Sequence, residues 1–217
     1  MDILFKTLLT LHIIAGTIGL TTGTINTIGK KGGKVHRLVG QLFLYSMLLV
    51  SGTAFILSVL HPNYFLFIVG VFTLYMVCSG TRYLYLKNLS KGQQPKLVDW
   101  LLTGFMLLFG IAFLIFGTYH LMHKNNFGIV FLVFGVIGLR FVRIDFRNFS
   151  GKAKVANPWL VAHIQRMMGA YIATLTAFLV VNNKIMPGYI AWLLPATVLF
   201  PLIVIWVRKY KVRLSGN

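Results

Sequence analysis

Residues 189–207 read YIAWLLPATVLFPLIVIWV, nineteen consecutive positions without a charged side chain. A helix needs roughly 20 apolar residues to cross a hydrocarbon core of about 30 Å. A transmembrane strand would instead alternate apolar and polar residues, and this stretch does not alternate. The stretch therefore predicts a membrane-spanning α-helix. Because similar runs recur along the chain, we predict an all-α membrane protein.

The composition of the whole chain supports the membrane class. Of 217 residues, 57% are hydrophobic and only 11% are charged, which is typical of an integral membrane protein. The formal net charge is +18, from 21 Lys and Arg against three acids, Asp2, Asp99 and Asp145. Such an excess would suggest nucleic acid as a partner of a soluble protein. Here the basic residues lie between apolar runs, where they meet lipid headgroups. We therefore expect membrane lipids as partners and no nucleic acid.

Seven apolar runs are long enough to span a bilayer. We predict a bundle of seven transmembrane helices that forms one domain over residues 1–217. The predicted spans are about 4–28, 36–60, 63–88, 97–120, 126–147, 158–182 and 188–208. The first apolar run continues beyond twenty residues without a clear cleavage site, so we interpret it as a retained span rather than a signal peptide.

The basic residues predict the orientation of the bundle. All Lys and Arg except Lys6, Lys124 and Lys184 fall in or beside the segments 29–37, 82–96, 140–166 and the carboxyl terminus. By the positive-inside rule the amino terminus faces outside and the carboxyl terminus lies in the cytoplasm. The expected location is the inner membrane of a bacterial cell. The external connections are short, so any function is performed within the bundle or by a partner.

Several arginines are predicted to lie within the spans rather than in the loops. Arg82 lies about two turns before the predicted end of the third span, and Arg166 lies roughly 12 Å into the sixth. Arg140, Arg143 and Arg147 share one helical face through their i, i+3, i+7 spacing. Charged groups within spans are costly, and they usually face a bundle interior, a cavity or the interface.

Two explanations of these arginines stay open. Arginines near the cytoplasmic ends of spans can reach headgroup phosphates along their apolar stems, and Asp99 and Asp145 could neutralise two of them. The acids are outnumbered, however, and a guanidinium binds carboxylate or phosphate bidentately. An anionic ligand on the inner side is therefore the alternative explanation.

Two histidines lie at a comparable inner level. His36 opens the second span and is followed one turn later by Gly40, while His163 stands three residues before Arg166 on one face of the sixth span. A glycine at this spacing permits the close approach of a planar ligand or another helix. The roles of His12, His120 and His123 stay open, because they lie toward the outer side of the bundle.

The motifs LHIIAG (11–16), HRLVG (36–40) and HIQRMM (163–168) resemble a bacterial multispanning family catalogued as domain of unknown function 2306. The resemblance covers about residues 10–182. The family's later motif often carries a tryptophan and a second arginine, which this chain lacks. The resemblance implies a multispanning topology and candidate positions, but no activity.

Three functions compete. The first is binding of a redox or anionic cofactor, most concretely b-type haem, with His36 and His163 as iron ligands and Arg37, Arg82, Arg140 and Arg166 as propionate partners. The second is transport or binding of an anionic solute or lipid. The third is a structural or assembly subunit of a membrane complex. The sequence predicts no catalytic residues and leaves enzymatic activity undecided.

Overall fold

The computed structural model describes residues 3–212, so Asp2 and Arg213 lie outside the described residues. Seven α-helices occupy this range: α1 (Ile3–Ile28), α2 (Lys34–Leu60), α3 (Tyr64–Arg82), α4 (Leu97–Met122), α5 (Gly128–Phe149), α6 (Pro158–Asn182) and α7 (Gly188–Tyr210). Two short 3₁₀ turns, Tyr83–Tyr85 and Leu89–Lys91, follow α3. No strand occurs between residues 3 and 212, so the predicted all-α class is confirmed.

The predicted third span, 63–88, is too long at its carboxyl end. Helix α3 ends at Arg82, and the chain then tightens into the first 3₁₀ turn. Tyr83 and Leu86 are each 1% exposed and belong to a buried cluster that includes Phe149. Tertiary packing buries these side chains although they lie beyond the α-helix. The hydrophobic pattern of the sequence therefore continues past the end of α3.

Six of the helices, all except α5, are long and apolar enough to cross a membrane, which is the pattern of a multi-pass membrane protein. Helix α5 differs because its carboxyl-terminal half is rich in charge, with Arg140, Arg143, Asp145 and Arg147. Its length of 22 residues nevertheless equals that of a span.

The chain folds into two compact units. Within the described residues, the first unit comprises the chain up to Val77 together with Met167–Val204. The second comprises Cys78–Arg166 together with the chain from Ile205 onward. Helices α1 and α2 pack against each other in the first unit, and α4 packs against α5 in the second.

In the first unit, a short basic turn connects α1 to α2. Lys31 Nζ donates hydrogen bonds to the carbonyl oxygens of Asn26 and Thr27 at 2.8 and 2.7 Å, groups that the end of α1 leaves without helical partners. Gly32 follows with a φ of +80°, a conformation that favours glycine. This segment therefore serves as a cap and a turn.

In the second unit, glycines let α4 and α5 approach closely. A Cβ atom placed on Gly117 would lie 3.0 Å from the carbonyl oxygen of Gly128, and one on Gly135 would lie 3.1 Å from that of Gly110. Backbone contacts of this kind are typical of membrane helices, whose association depends on close packing.

Candidate functional site

The second unit contains a buried ionic network around Asp145 of α5. Asp145 is 1% exposed, and the fully buried Arg166 of α6 donates from Nη2 to its Oδ1. Tyr83 Oη donates to the same oxygen at 2.6 Å, and Thr103 Oγ1 lies 3.2 Å from Oδ2. The Arg166 guanidinium carbon also lies 4.6 Å from the centre of the Tyr83 ring, a cation–π contact. The carboxylate and the guanidinium therefore neutralise each other away from solvent.

A second ion pair joins the end of α3 to the start of α4. Arg82 donates from Nε and Nη2 to the two oxygens of Asp99 at 2.8 and 3.1 Å, a bidentate arrangement. Asp99 also accepts a hydrogen bond from the backbone nitrogen of Lys96 at 2.8 Å, which caps α4. Thr103 Oγ1 lies 2.9 Å from the Asp99 carbonyl oxygen, so this one hydroxyl touches both Asp99 and Asp145.

These pairs confirm the expectation that Asp99 and Asp145 neutralise two arginines. The two arginines are Arg82 and Arg166, which the sequence places deepest in their spans. Their guanidinium groups have carboxylate partners within the chain, and an anionic ligand is not needed to account for their positions in the helices.

His163, also a predicted site residue, lies one turn before Arg166 in the second unit. Its Nδ1 is 3.0 Å from the carbonyl oxygen of Gly80. A carbonyl oxygen only accepts, so Nδ1 carries the proton and the lone pair of the neutral ring lies on Nε2. This arrangement fixes the tautomer in the way that many metal-binding histidines are fixed.

His36 and Arg37 lie in the first unit, at the start of α2. His36 is half-buried, and its Nδ1 is shielded from solvent without a hydrogen-bond partner in residues 3–212. Arg37 is exposed. The six predicted cofactor residues are thus divided, two in the first unit and four in the second.

The other predicted arginines lie on the outside of the second unit. Arg140 and Arg143 are exposed on α5, and Arg147 on the same face is half-buried. Their contact with a propionate or another anion stays a prediction. No group of three or more His, Cys, Asp or Glu side chains in the described part of the chain is arranged to hold a metal ion.

A cavity of about 440 Å³ lies within the first unit, between α1, α2, α3 and α6. This volume falls in the usual range of small-molecule sites. Most of its lining side chains are apolar, among them Phe5, Leu9, Ile13, Leu66 and Phe178. No Asp, Glu, Lys or Arg belongs to the lining that the structure describes. The cavity therefore suits an uncharged molecule.

A few polar groups interrupt the apolar lining of the cavity. Ser51 on α2 and Thr73 on α3 belong to the lining, and these residues are 0% and 1% exposed. His12 on α1 also lines it, with Nδ1 located 2.9 Å from Thr53 Oγ1. Because the Thr53 hydroxyl is 2.8 Å from the Leu49 carbonyl oxygen and donates there, it accepts from His12 Nδ1–H.

Sequence reasoning missed this cavity, although it noted His12. The polar residues of the lining come from distant helices, and each alone is an ordinary residue of an apolar run. The available signal was the presence of His12, Ser51 and Thr73 in the spans themselves, because polar groups at membrane depth usually face a protein interior. Their convergence follows only from helix packing.

No protein-family model matches this chain, and neither the curated proteins nor the solved structures contain a significant match to it. The resemblance to the domain of unknown function 2306 therefore stays a prediction.

Proposed function

We propose that this chain is a multi-pass membrane protein that binds an uncharged, largely apolar small molecule in the cavity of its first unit. One observation carries the proposal: a cavity of about 440 Å³ whose lining is mostly apolar, contains no Lys, Arg, Asp or Glu in the described residues, and includes some polar side chains. Ligand sites in proteins combine these properties. Binding and transport of such a molecule both require this site.

We further propose the complete seven-span topology. All seven helices, α5 included, cross the inner membrane of a bacterial cell, with the amino terminus outside and the carboxyl terminus in the cytoplasm. The asymmetric distribution of Lys and Arg supports this orientation. The internal pairing of Asp145 with Arg166 lowers the cost of placing α5 in the bilayer.

A photoreactive hydrocarbon probe that is neutral and carries a diazirine tests the binding proposal. Purified protein in lipid nanodiscs is labelled across a range of probe concentrations, and the modified peptides are identified by mass spectrometry. We expect saturable labelling of segments of α1, α2, α3 and α6 that line the cavity. Labelling of lipid-facing surfaces should instead increase without saturation.

A matched pair of variants gives the control. A Cβ atom on Gly16 would meet only Val50 Cγ2, at 4.0 Å, so Gly16→Phe places a ring in the cavity. Gly52 lies on the exposed side of α2 and has no atom within 4 Å of an added Cβ, so Gly52→Phe adds the same ring outside the cavity. We expect the first variant to abolish saturable labelling and the second to retain it. Equal labelling of both variants would contradict the proposal.

Binding of haem b is a second candidate, and His36 supports it. The shielded Nδ1 of His36 lacks a hydrogen-bond partner within residues 3–212. The carboxylate partners of Arg82 and Arg166 weaken it, because these arginines were its expected propionate partners. An absorption spectrum after reconstitution with haemin tests it, and the absence of a haem band would contradict it.

The two ion pairs also bear on the remaining alternatives. Recognition of an anionic solute or lipid would have to use exposed cations such as Arg37, Arg140 and Arg143, since Arg82 and Arg166 already hold carboxylates. A structural or assembly role needs neither a ligand nor a cavity. Saturable labelling of the cavity therefore separates our proposal from both alternatives.

A further inference from the structure

The polar groups deep in the cavity are already bonded or shielded. Thr17 and Thr174 each donate to a carbonyl oxygen one turn earlier on their own helices, at 2.9 Å. His12 is bonded through Nδ1 to a hydroxyl of α2 at 2.9 Å. The hydroxyl oxygens of Ser51 and Thr73 are shielded from solvent. A ligand therefore meets a mainly apolar surface in the deep part of the cavity.

Exposed polar side chains are instead concentrated at one end of the cavity. His61 and Asn63 lie in the turn between α2 and α3, and Asn182 is the last residue of α6. All three line the cavity and are exposed. Phe5, near the start of α1, lies at the same end, with its ring centre 4.1 Å from that of His61. We call the group of His61, Asn63 and Asn182 the polar mouth of the cavity.

The side chains of the polar mouth offer both kinds of hydrogen-bonding group. Asn63 Oδ1 accepts from the backbone nitrogen of Leu66 at 3.0 Å, which leaves the amide nitrogen to donate. Asn182 Nδ2 donates to the carbonyl oxygen of Phe178 at 2.8 Å, which leaves the amide oxygen to accept. The neutral ring of His61 has one donor and one acceptor. The polar mouth therefore suits a group that both donates and accepts, as a hydroxyl does.

The shape of the cavity restricts the apolar part of the ligand. Its lining on α1 runs from Phe5 to Leu20, about 22 Å along the helix axis. A volume of about 440 Å³ spread along this length is narrow. The deep part of the cavity therefore fits a chain that lies along the helices better than a compact ring system. An ionised head would find no countercharge, because no Asp, Glu, Lys or Arg of the described residues lines the cavity.

From these observations, and resting on the function proposed above, we infer that the ligand is a single-chain amphiphile with an uncharged, hydroxylated head. Its chain lies along the apolar lining, which includes Leu9, Ile13 and Leu20, and its head lies at the polar mouth. A glycerol head that carries one alkyl chain has this chemistry.

Probes that share one decyl chain test the inference on the unmodified protein. Decylglycerol has two free hydroxyls, its dimethyl ether has none, and decyl phosphate has an ionised head. Each competes with the photoreactive hydrocarbon in nanodiscs, at equal mole fraction in the lipid. We expect decylglycerol to compete at least about 3-fold more strongly than the other two, since a neutral hydrogen bond contributes about 3- to 10-fold in affinity.

Matched variants locate the effect at the polar mouth. His61→Phe keeps a ring against Phe5 and removes the nitrogens, and Asn182→Leu keeps the size of the side chain and removes the amide. Each should weaken competition by decylglycerol about 3- to 10-fold. Asn182→Leu should leave competition by the dimethyl ether unchanged, because the lost oxygen only accepts and this ether has no hydroxyl to donate. Asn126→Leu, in the exposed turn before α5, is the control and should change neither.

The outcomes distinguish this inference from the proposed function. If the hydrocarbon does not label the cavity saturably and no probe competes, the proposed function is overturned together with the inference. If labelling is saturable but the dimethyl ether or decyl phosphate competes as strongly as decylglycerol, the cavity binds apolar molecules and the inferred head is overturned. An effect of Asn126→Leu as large as those of His61→Phe and Asn182→Leu, or no effect of these two variants, also overturns it.

Discussion

Arg166 and Asp145 form an ion pair in which the two side chains are 0% and 1% exposed. Removing one partner of such a pair leaves an uncompensated buried charge, whereas replacing both with apolar residues removes the need for either. The carboxylate keeps the hydrogen bond from Tyr83 when the arginine is lost. Replacing one partner should therefore lower the stability of the fold more than replacing both with apolar residues.

We expect Arg166→Met to lower the free energy of unfolding by about 3–5 kcal/mol, because Asp145 loses its cationic partner. The double variant Arg166→Met with Asp145→Leu should recover most of this loss. Titration with a denaturing detergent measures both. Arg143→Met, which removes an exposed arginine from α5, is the control and should change stability by less than about 0.5 kcal/mol. A double variant less stable than the single one would contradict the prediction.

The close approach of α4 and α5 predicts an unequal response to two Gly→Ala changes. A Cβ atom on Gly128 would lie 2.5 Å from the Gly117 carbonyl oxygen and 3.0 Å from the Leu121 backbone nitrogen, atoms that cannot move independently of the helix. Gly128→Ala should therefore destabilise the protein by about 1–3 kcal/mol.

Gly104 of α4 has no atom within 4 Å of such a Cβ. Gly104→Ala should be neutral or stabilising by up to about 1 kcal/mol. Thermal unfolding in detergent compares the two variants, and equal unfolding temperatures would show that α4 and α5 do not pack in this way.

The crossing of α5 can be tested with single cysteines. In a Cys78→Ala background, Asn126→Cys and Lys152→Cys place a thiol in the exposed turns before and after this helix. We expect a membrane-impermeant maleimide to label the first in intact cells and the second only after permeabilisation. Labelling of both from the same side would mean that α5 does not cross, and Lys184→Cys serves as a further external position.

The contact between His12 and Thr53 joins α1 to α2. Thr53→Val removes the hydroxyl that accepts from His12 Nδ1, and we expect a loss of about 0.5–1.5 kcal/mol because a hydrogen bond between the two helices is lost. Thr118→Val is a matched control. The Thr118 hydroxyl is exposed and donates only to the carbonyl oxygen four residues before it. Equal stability of the two variants would argue against the contact.

The helices were predictable from the sequence because each is a long apolar run. The carboxyl end of the third span was predicted wrongly, for a physical reason. Past Arg82 the apolar pattern continues through Tyr83 and Leu86, but tertiary packing rather than helix formation buries these residues. A hydrophobic pattern indicates which residues are buried, but it does not indicate whether the buried backbone forms an α-helix or a 3₁₀ turn.

The ionic network was predictable in kind but not in detail. The presence of only two acids in the spans indicated that they neutralise arginines, yet Asp145 has Arg143 and Arg147 nearby on its own helix and instead binds Arg166 of α6. The packing of α5 against α6 determines which arginine pairs with Asp145. The cavity was not predictable for the same reason, since its lining residues meet only when α1, α2, α3 and α6 pack together.

The α4–α5 pair also bears on the order in which the chain is made. The two helices are joined by a short turn and meet at Gly117 and Gly128, which are near neighbours in the sequence. Such local contacts form early. The hairpin can therefore close before the ribosome has translated Arg166, so Asp145 enters the fold before its cationic partner on α6 has been made. The hydroxyls of Tyr83 and Thr103 precede Asp145 in the sequence, so both are already synthesised and can hydrogen-bond its carboxyl group until α6 is added.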